Sequence, residues 1–550
     1  MTARLIADLD ALSDRLGHDF VEQLTYPGIY RGARLNVSPV LIDRDGALAV
    51  VISEADSDAC KVLPAGVAKA VYGRYFDWNK DLSRPVRSFE AAVREVAGEG
   101  TIVCDPVLPL ARYEALAGSG PVRLAPSPAP SPVFVHAKRR GEIEAQWRVT
   151  RDADAAAFAS FVRTLRNGDR LVAAMTATAK GFAPLDALCA ANTLGALYVT
   201  APHEVEMFTG LPAPVCRQFE VTALFRPGVE DIAVFAGKPL GRTDFRLCGE
   251  TDSLAAALRS AGADRIAIQK DDLQGGVFAA LDAAGVAFED GAHVLRRWQD
   301  QRASDDAVYF MLAANAVLEG IAAARAFFHR NAGTRMIERD LVAAYHLGVA
   351  RFVRRYGFAG RVDSYFDIVH SGARTLLPAT AGAYPVGADD RTVKFDMGLT
   401  VADAFGCVRG VSDIARTICA EPGIEALHDE LRGILIDRLI PAIKPGMTGG
   451  EIHAVGVELL RPLEERLRSL GLLPEGRSVD GYRRDCGHTI QRQTISSVYF
   501  LPGVQQKVED GMLGCVEYVW PINDILIAVE DGFLITPEGG VPFTAAGARP

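Results

Sequence analysis

Hydrophobic and polar positions form two successive mixed patterns in the first 300 residues. Short apolar runs with the period of strands, such as 40–53, alternate with segments that have the period of helices. A Pro-rich stretch at 121–134 interrupts the alternation, which then resumes. Because Pro-rich chain favours extended conformations and often joins domains, we predict two α/β domains, 1–125 and 135–300, with a boundary in or near this stretch.

Three local patterns in these domains predict particular elements. Residues 38–53 and 220–237 each place a charged, glycine-containing loop between two apolar runs, which predicts a β-hairpin in each domain and a weak internal repeat. Residues 1–20 carry acids throughout and are predicted to form an amphipathic helix.

The pattern changes near Ser304, which we predict to cap the first of several long helices. Asp305 and Asp306 follow it in the first turn, where the helix dipole favours negative charge. Two helices, strands, two further helices and strands then follow in order, which predicts a pseudo-symmetric α+β domain over 301–550. The predicted helices are 307–328, 336–357, 426–440 and 449–471.

Composition excludes several classes of protein. With 49% apolar and 23% charged residues, the composition is that of an ordinary globular protein. The net charge is −10, and acidic and basic residues are mixed along the chain. The clustered cations that bind nucleic acids are therefore missing from the sequence. Uncharged apolar stretches do not reach the ~20 residues of a membrane span. The nine cysteines are dispersed and the N-terminus lacks the pattern of a signal peptide. We therefore expect a soluble cytoplasmic protein that does not bind a membrane.

Four acids and one histidine stand in strand-like segments of the third domain. A buried acid is costly unless it is paired or binds a metal, and each of these residues alone has an ordinary reading as a turn or a solvated hairpin end. Together they favour one or two divalent ions of the Mn, Fe, Co or Zn kind. The residues are Asp396, Asp413, His488, Glu517 and Glu530.

The motifs around these residues resemble those of the creatinase, aminopeptidase P and methionine aminopeptidase superfamily. They comprise Asp-x-Gly at 396, Ser-Asp-x-x-Arg-Thr at 412–417, Gly-His at 488, an apolar strand around Glu517 and Glu-Asp at 530. The 29 positions from His488 to Glu517 agree with the aminopeptidase P pattern. The resemblance implies a C-terminal pita-bread domain after two creatinase-N-terminal-like domains, five metal ligands and a homodimer.

The sequence departs from the peptidases of that superfamily at several positions. Ala379 and Ile495 stand where the resemblance implies histidines that handle the scissile amide. Asp396 and Asp413 also lie further apart in the chain than the two ligand aspartates of the superfamily usually do. This difference leaves Asp403 as an alternative to Asp413. We favour Asp413 because it lies in the Ser-Asp-x-x-Arg-Thr motif.

Other residues near these motifs are candidates for chemistry. Tyr518 could serve as an acid, base or hydrogen-bond donor, or else pack in the core. Arg374 could bind a substrate carboxylate as a bidentate donor, or be a solvated loop residue. His370 could be catalytic or a buried structural histidine.

Three functions remain open from the sequence. The first is a hydrolase of a C–N bond in a small peptide or amide, with a metal-bound hydroxide as nucleophile and Glu517 as general base. The second is a lyase resembling the dimethylsulfoniopropionate lyases of the superfamily, whose motifs are similar to Ser-Gly-Ala-Arg-Thr at 371–375 and Cys-Val-Glu-Tyr at 515–518. The third is a catalytically inactive binding relative.

Overall fold

The computed structural model divides the chain into two compact units. Unit 1 comprises Met1–Tyr75, Ser83–Trp147 and Phe182–Arg296, and unit 2 comprises Phe76–Leu82, Arg148–Gly181 and Arg297–Pro550. The structure describes residues 2–24, 38–74, 76–80, 85–126, 132–263, 265–331, 333–376, 380–387, 390–492 and 497–545.

Unit 1 contains two mixed sheets. The first has the strand order β4-β3-β2-β1-β5-β6 and the second the order β11-β7-β10-β9-β8-β12-β13. The first sheet is formed by β1 Thr2–Ile6, β2 Val40–Arg44, β3 Ala47–Ser53, β4 Ala68–Tyr72, β5 Thr101–Cys104 and β6 Val122–Leu124. The second is formed by β7 Val133–Arg139, β8 Leu197–Val199, β9 Thr222–Phe225, β10 Asp231–Ala236, β11 Arg246–Thr251, β12 Arg265–Ile268 and β13 Ala287–Asp290.

Helices accompany both sheets of unit 1. The shorter ones are α1 Leu9–Leu16, α2 His18–Glu22, α3 Phe89–Ala97 and α4 Leu110–Ser119 beside the first sheet, with α7 Ala183–Ala191, α8 Pro202–Thr209, α9 Ala213–Gln218, α10 Leu254–Ser260 and α11 Gly275–Ala283 beside the second. Two further helices, α5 Arg140–Val162 and α12 Ala292–Arg302, contribute residues to both units, and α6 Gly168–Met175 belongs to unit 2.

Both predicted hairpins of unit 1 are confirmed. Strands β2 and β3 pair in antiparallel register around Asp45 and Gly46, which both have positive φ, and β9 pairs likewise with β10. The three-domain division stays a prediction: the two sheets fall in one compact unit, and residues 127–131 of the Pro-rich stretch lie outside the described residues.

The helix predicted over residues 1–20 is wrong for its first part. Residues Thr2–Ile6 form β1, which pairs antiparallel with β2 and parallel with β5 and buries Ala3 and Leu5. The helix begins only at Leu9, where the side chain of Asp8 accepts a hydrogen bond from the amide of Ala11. Sheet pairing has overridden the local helical pattern.

Unit 2 has the predicted order of helix pairs and strands. Two helices, α13 Ala307–Arg330 and α14 Glu338–Arg355, precede the first sheet, and the second pair precedes the second sheet. That pair comprises α15 Pro422–Ile434, continued by a π-helical turn Leu435–Leu439 and α16 Ile440–Ala442, and then α17 Gly449–Leu460 with α18 Glu464–Ser469. The α+β class predicted for this part of the chain is confirmed.

The predicted N-cap at Ser304 is wrong. Residues Ala303–Asp306 form a 3₁₀ turn, and the α-helix begins at Ala307 after Asp306. The side chain of Asp306 makes no capping hydrogen bond; its carboxylate accepts instead from Arg409 Nε at 2.9 Å.

Two four-stranded antiparallel sheets of unit 2 carry the predicted ligands. The first comprises β14 Arg361–Ser371, β15 Thr392–Ala402, β16 Val408–Val411 and β17 Ile414–Cys419. The second comprises β18 Gly487–Ile490, β19 Leu513–Ile522, β20 Ile525–Thr536 and β21 Gly539–Pro542. Thr417 of β17 both accepts from the amide of Ala528 on β20 (2.9 Å) and donates to its carbonyl (3.3 Å), so the two sheets meet along these strands.

One helical stretch, 292–330, is long and apolar enough to pass a test for membrane-spanning helices by length and composition. Of its most apolar 18-residue segment, 78% is buried inside the protein. Core helices of globular domains pass the same test, so the stretch is weak grounds for a span.

Candidate metal centre

Register along the strands of the first sheet brings two of the predicted ligands together. Asp396 of β15 lies directly opposite Ala415 of β17, and Asp413 precedes Ala415 by two positions. Asp413 lies in the short connection between β16 and β17, immediately before β17 begins, whereas Asp396 stands within the apolar strand β15. The two carboxylates nevertheless meet, because each offers an oxygen to the same donor group.

The second sheet presents its ligands in the same way. Glu517 of β19 lies in register with Glu530 of β20, and His488 of β18 lies in register with Cys515 of β19. The imidazole Nδ1 of His488 lies 3.1 Å from the carbonyl of Thr489. A ring nitrogen that donates to a carbonyl fixes the tautomer and leaves the other, Nε2, as the acceptor.

Two groups of donor atoms result, and they share one residue. Asp396, Asp413 and Glu530 each offer an oxygen within 4.8 Å of the others, and His488, Cys515 and Glu530 form a second group by the same measure. His488 Nε2 lies 3.7 Å from Asp413 Oδ2, which connects the two groups. Glu517 belongs to neither group but lies beside Glu530.

Burial and mutual repulsion act on the carboxyl groups of this cluster. Burial raises the pKa of Asp413, and the charge of Asp396 raises it further. Burial and then Asp485 raise the pKa of Glu517, while burial together with Asp413 and Glu517 raises that of Glu530. The ionised cluster is therefore costly in the folded protein as it stands.

A buried lysine reduces this repulsion in part. Lys394 is 1% exposed and stands two positions before Asp396 on β15, with its Nζ 3.8 Å from Asp396 Oδ2. Burial lowers the pKa of Lys394, and the charges of Asp396, Glu517 and Asp413 act in the opposite direction. Lys394 was not a candidate from the sequence, although its spacing of two from Asp396 on a strand predicts that both side chains lie on one face.

Two tyrosines lie at the rim of the cluster. The ring of Tyr499, 41% exposed, lies 5.7 Å from the ring of His488, which places this side of the cluster towards solvent. Burial raises the pKa of Tyr365, and the charge of Asp413 and neighbouring Tyr499 raise it further. These residues were not identified from the sequence, because their proximity depends on pairing across the fold.

Asp403, the alternative to Asp413 as second aspartate ligand, contacts an arginine and backbone amides instead of the donor groups. Its Oδ2 lies 2.9 Å from Arg409 Nη1 and accepts from the hydroxyl of Thr150, and its Oδ1 accepts from the amides of Phe405 and Cys407. Asp403 thus closes the β15–β16 hairpin and neutralises a buried arginine. Of the two aspartates, only Asp413 lies among the donor groups.

Of the two roles that the sequence leaves open for Tyr518, the structure favours packing in the core. Its hydroxyl donates to the carbonyl of Gly456 at 2.7 Å, and its side chain is fully buried. Adjacent residues of a strand point to opposite faces, so Tyr518 packs away from the face that carries Glu517.

Arg374 is likewise placed elsewhere. Its Nε donates to Glu338 Oε1 at 2.8 Å, and its guanidinium lies 3.6 Å from the centroid of the Tyr384 ring. This arrangement makes Arg374 the partner of a buried glutamate, and a role for it in binding a substrate carboxylate stays a prediction. Glu338 lies 36 positions away in the chain, so the sequence pattern could not reveal the pair.

His370 is fully buried on β14, in register with Lys394 of β15. It therefore lies on the face of the sheet that carries Asp396, and a catalytic role for it stays a prediction. Ala379 and Ile495, which replace the expected peptidase histidines, lie outside the described residues.

The chain was compared with protein families and with solved structures. Residues 311–537 match the model of metallopeptidase family M24. The match spans the helices and strands of unit 2 that hold Asp396, Asp413, His488, Glu517 and Glu530. No curated protein sequence matches the chain.

Several solved structures are similar to the chain at low sequence identity. The X-prolyl aminopeptidase from Caenorhabditis elegans, described as a cytosolic enzyme with a di-nuclear active site, is 12% identical, with 99% of this chain and 86% of that chain covered and a TM-score of 0.58. A prolidase from Pyrococcus horikoshii OT3 is 16% identical over 66% of this chain and 97% of its own, with a TM-score of 0.49. A Xaa-Pro dipeptidase from Bacillus anthracis is 18% identical over 67% and 98%, with a TM-score of 0.48.

The match over 311–537 and the full-length likeness to the nematode enzyme agree with the helix and strand order of unit 2. Residues 311–537 therefore form a domain of metallopeptidase family M24, with the pita-bread fold that the sequence predicts for this part of the chain.

Proposed function

We propose that the protein is a metal-dependent hydrolase that cleaves a C–N bond in a small peptide or amide substrate. One observation carries the proposal: two groups of donor atoms, contributed by two sheets, meet at Glu530. The M24 match over the same strands supports it. Small peptides are the substrate class that the name of the nematode X-prolyl aminopeptidase suggests.

The donor set fits one or two divalent cations. Carboxylate oxygens and an imidazole nitrogen suit Mn, Fe, Co or Zn. The Oε1 of Glu530 is buried with no hydrogen-bond partner among the described residues, which is an unusual condition for a carboxylate oxygen. A cation would satisfy this atom and reduce the repulsion that raises the pKa of Asp413, Glu517 and Glu530. When bound, such an ion polarises a carbonyl and makes a bound water more acidic.

Three residues near the donor groups have proposed roles in proton transfer, metal binding and substrate entry. Glu517 is the candidate general base, because it lies in register with Glu530 beside the donor groups. His488, oriented by the carbonyl of Thr489, presents Nε2 to the donor groups. Tyr499 lies towards solvent beside His488, where an entering substrate would meet it.

Activity of metal-reconstituted protein tests the proposal. The chelated protein would be reloaded with Mn, Co or Zn and assayed against Xaa-Pro dipeptides and small amides. We expect turnover that Glu517→Gln lowers by about 100-fold or more, the scale of general-base catalysis. The matched control is Glu538→Gln, since Glu538 is exposed and pairs with Arg170 on the surface. Metal-loaded protein that turns over none of these substrates would contradict the proposal.

A lyase on the same domain is the second candidate. Ala379 and Ile495 carry no group that could donate a proton to a leaving nitrogen, and this observation favours it. A panel of small betaines, with solvent oxygen-18 as label, separates the two: hydrolysis incorporates the label into product and elimination does not. Xaa-Pro turnover that Asp396→Asn abolishes would exclude the lyase. A purified protein that retains no stoichiometric metal would instead favour an inactive binding relative.

Two further features belong to this proposal. A cytoplasmic location is supported by the nine cysteines, all of which are free thiols in the structure. A homodimer is implied by the resemblance to the superfamily. Sedimentation of the purified chain tests the dimer directly, because a monomer at micromolar concentration would contradict it.

A further inference from the structure

A sulfur atom lies among the oxygen and nitrogen donors. Cys515 is 1% exposed, and its Sγ lies 3.5 Å from Nε2 and 3.6 Å from Nδ1 of His488. Sγ, the His488 nitrogen and a Glu530 oxygen all lie within 4.8 Å of one another. The ligand set predicted from the sequence contains no cysteine.

The register of the strands determines which face of the sheet carries this thiol. Cys515 stands two positions before Glu517 on β19 and directly opposite His488 on β18. Both relations put its side chain on the face that carries Glu517, Glu530 and His488. Its Sγ lies within 4.8 Å of a carboxylate oxygen of Glu530, so the thiol points into the donor group.

The distance between sulfur and nitrogen matches the span across one metal ion. A zinc ion has Zn–S of about 2.3 Å and Zn–N of about 2.0–2.1 Å, and a tetrahedral angle between these bonds separates S from N by about 3.5 Å. Because Sγ is about equally far from both ring nitrogens, the Cys515 side chain would have to turn towards Nε2 for both atoms to contact one ion.

We propose that Cys515 is a thiolate ligand of the ion held by His488 and Glu530, and that this half of the centre selects zinc, iron or cobalt over manganese. The proposal rests on the metal site of the proposed function and adds a ligand to it. On binding, a metal–sulfur bond forms and the thiol proton leaves to solvent, with no change in oxidation state. Sulfur is a soft ligand, and manganese prefers oxygen donors.

The competing explanation is that Cys515 is a small apolar residue of the core. Buried free cysteines are common packing residues, and Cys419 is an example in the same unit, 5% exposed at the far end of β17. The two explanations differ in what replacement by serine does to a bound ion. Cys419→Ser is accordingly the matched control.

X-ray absorption of zinc-loaded protein tests the proposal. We expect a sulfur shell at about 2.3 Å beside the nitrogen and oxygen shell in the wild type and in Cys419→Ser. Cys515→Ser should lose the sulfur shell and bind zinc about tenfold or more weakly, while its affinity for manganese changes little. Circular dichroism verifies that each variant is folded. The sulfur shell of the wild type and its preference for zinc over manganese test the proposal even if a variant does not fold.

The outcomes separate this proposal from the proposed function. Stoichiometric zinc in the wild type with only nitrogen and oxygen neighbours would overturn the sulfur ligand and leave the hydrolase intact. A sulfur shell that persists in Cys515→Ser would also overturn it. Protein that binds no zinc at all would overturn both.

Discussion

At the scale of single residues, Glu530 decides how the cluster behaves without a cation. It belongs to both donor groups, and burial with the charges of Asp413 and Glu517 raises its pKa. A carboxyl whose pKa is higher in the folded state than in the unfolded state stabilises the fold at low pH. That stability is lost as the pH rises through the folded-state pKa. The metal-free protein should therefore lose stability above about pH 4.3, the ordinary value for glutamate.

Glu530→Gln tests this charge repulsion. The metal-free variant should be about 0.5–2 kcal/mol more stable than the metal-free wild type at pH 8, because a repelled carboxylate has been removed. The difference should shrink as the pH falls towards 4. Urea unfolding across this pH range measures it, and a variant less stable than the wild type at pH 8 would contradict the argument.

Asp413 and Asp403 make opposite predictions. Asp413→Asn should weaken metal binding by more than about 100-fold, beyond what loss of an outer-shell group costs, with little loss of metal-free stability. Asp403→Asn should cost about 1.5–3 kcal/mol, the range for hydrogen bonds to charged groups, because Arg409 loses a buried partner. Calorimetric metal titration and urea unfolding of both variants check the pair, and a reversed pattern would make Asp403 the ligand.

Sequence reasoning singled out residues whose chemistry conflicts with their surroundings; the structure brings them together, and their role as metal ligands stays a prediction. Asp396, Asp413, His488 and Glu530 were found because polar groups in apolar strands need a reason. Cys515 was passed over because a cysteine in such a strand is an ordinary packing residue, although its spacing of two from Glu517 placed it on the same face. Tyr518 became a candidate because it is adjacent to Glu517 in sequence, although adjacent residues of a strand face opposite ways.

At the scale of elements, Arg416 on β17 links this strand to β20 next to the donor groups. Arg416 donates to the carbonyl of Glu530 and to Asp531 Oδ1, the latter at 2.8 Å. Asp531, fully buried, also accepts from Arg432 and from the hydroxyl of Thr544. The Arg of Ser-Asp-x-x-Arg-Thr and the Asp of Glu-Asp therefore hold β20, which carries Glu530, against β17, which Asp413 immediately precedes.

Arg416→Gln tests this connection. It should cost about 3–5 kcal/mol, because it breaks a buried ion pair, and it should weaken metal binding although Arg416 touches no ion. Arg391→Ala is the control, since Arg391 pairs with Glu421 and Asp524 at the surface, and it should cost less than about 1 kcal/mol. Unfolding and metal titration measure both effects; unchanged metal affinity in a destabilised Arg416→Gln would show that the connection does not position the ligands.

Elements were predictable where the local pattern agrees with the pairing of strands. The hairpin at Asp45 and Gly46 and the helix pairs of unit 2 follow from turn residues and hydrophobic period. Residues Thr2–Ile6 became a strand because β2 and β5 supply partners from far along the chain. A local pattern contains no information about such partners.

At the scale of the whole molecule, the two sheets of unit 1 are joined through α4. Leu110 is fully buried among residues of the second sheet, and its amide donates to the carbonyl of Leu273 at 2.8 Å. The same helix packs Leu116 into the core of the first sheet. This helix links the two predicted N-terminal domains within a single compact unit.

Leu110→Ala should reduce the stability of both sheets. Loss of a fully buried leucine costs about 2–5 kcal/mol, and hydrogen exchange should accelerate in β1–β6 and in β7–β13 together. Leu247→Ala, at a position that is 56% exposed, is the control and should change stability by no more than about 0.5 kcal/mol. Faster exchange in one sheet only would indicate that 1–125 and 135–300 unfold independently.

Anomalous diffraction from a crystal grown with zinc tests the proposed metal centre most directly. Our account predicts an anomalous peak in contact with Asp413, His488 and Glu530, with Asp396 and Glu517 beside it. Well-ordered side chains at these positions with no peak between them, or zinc found only at other places on the protein, would contradict it.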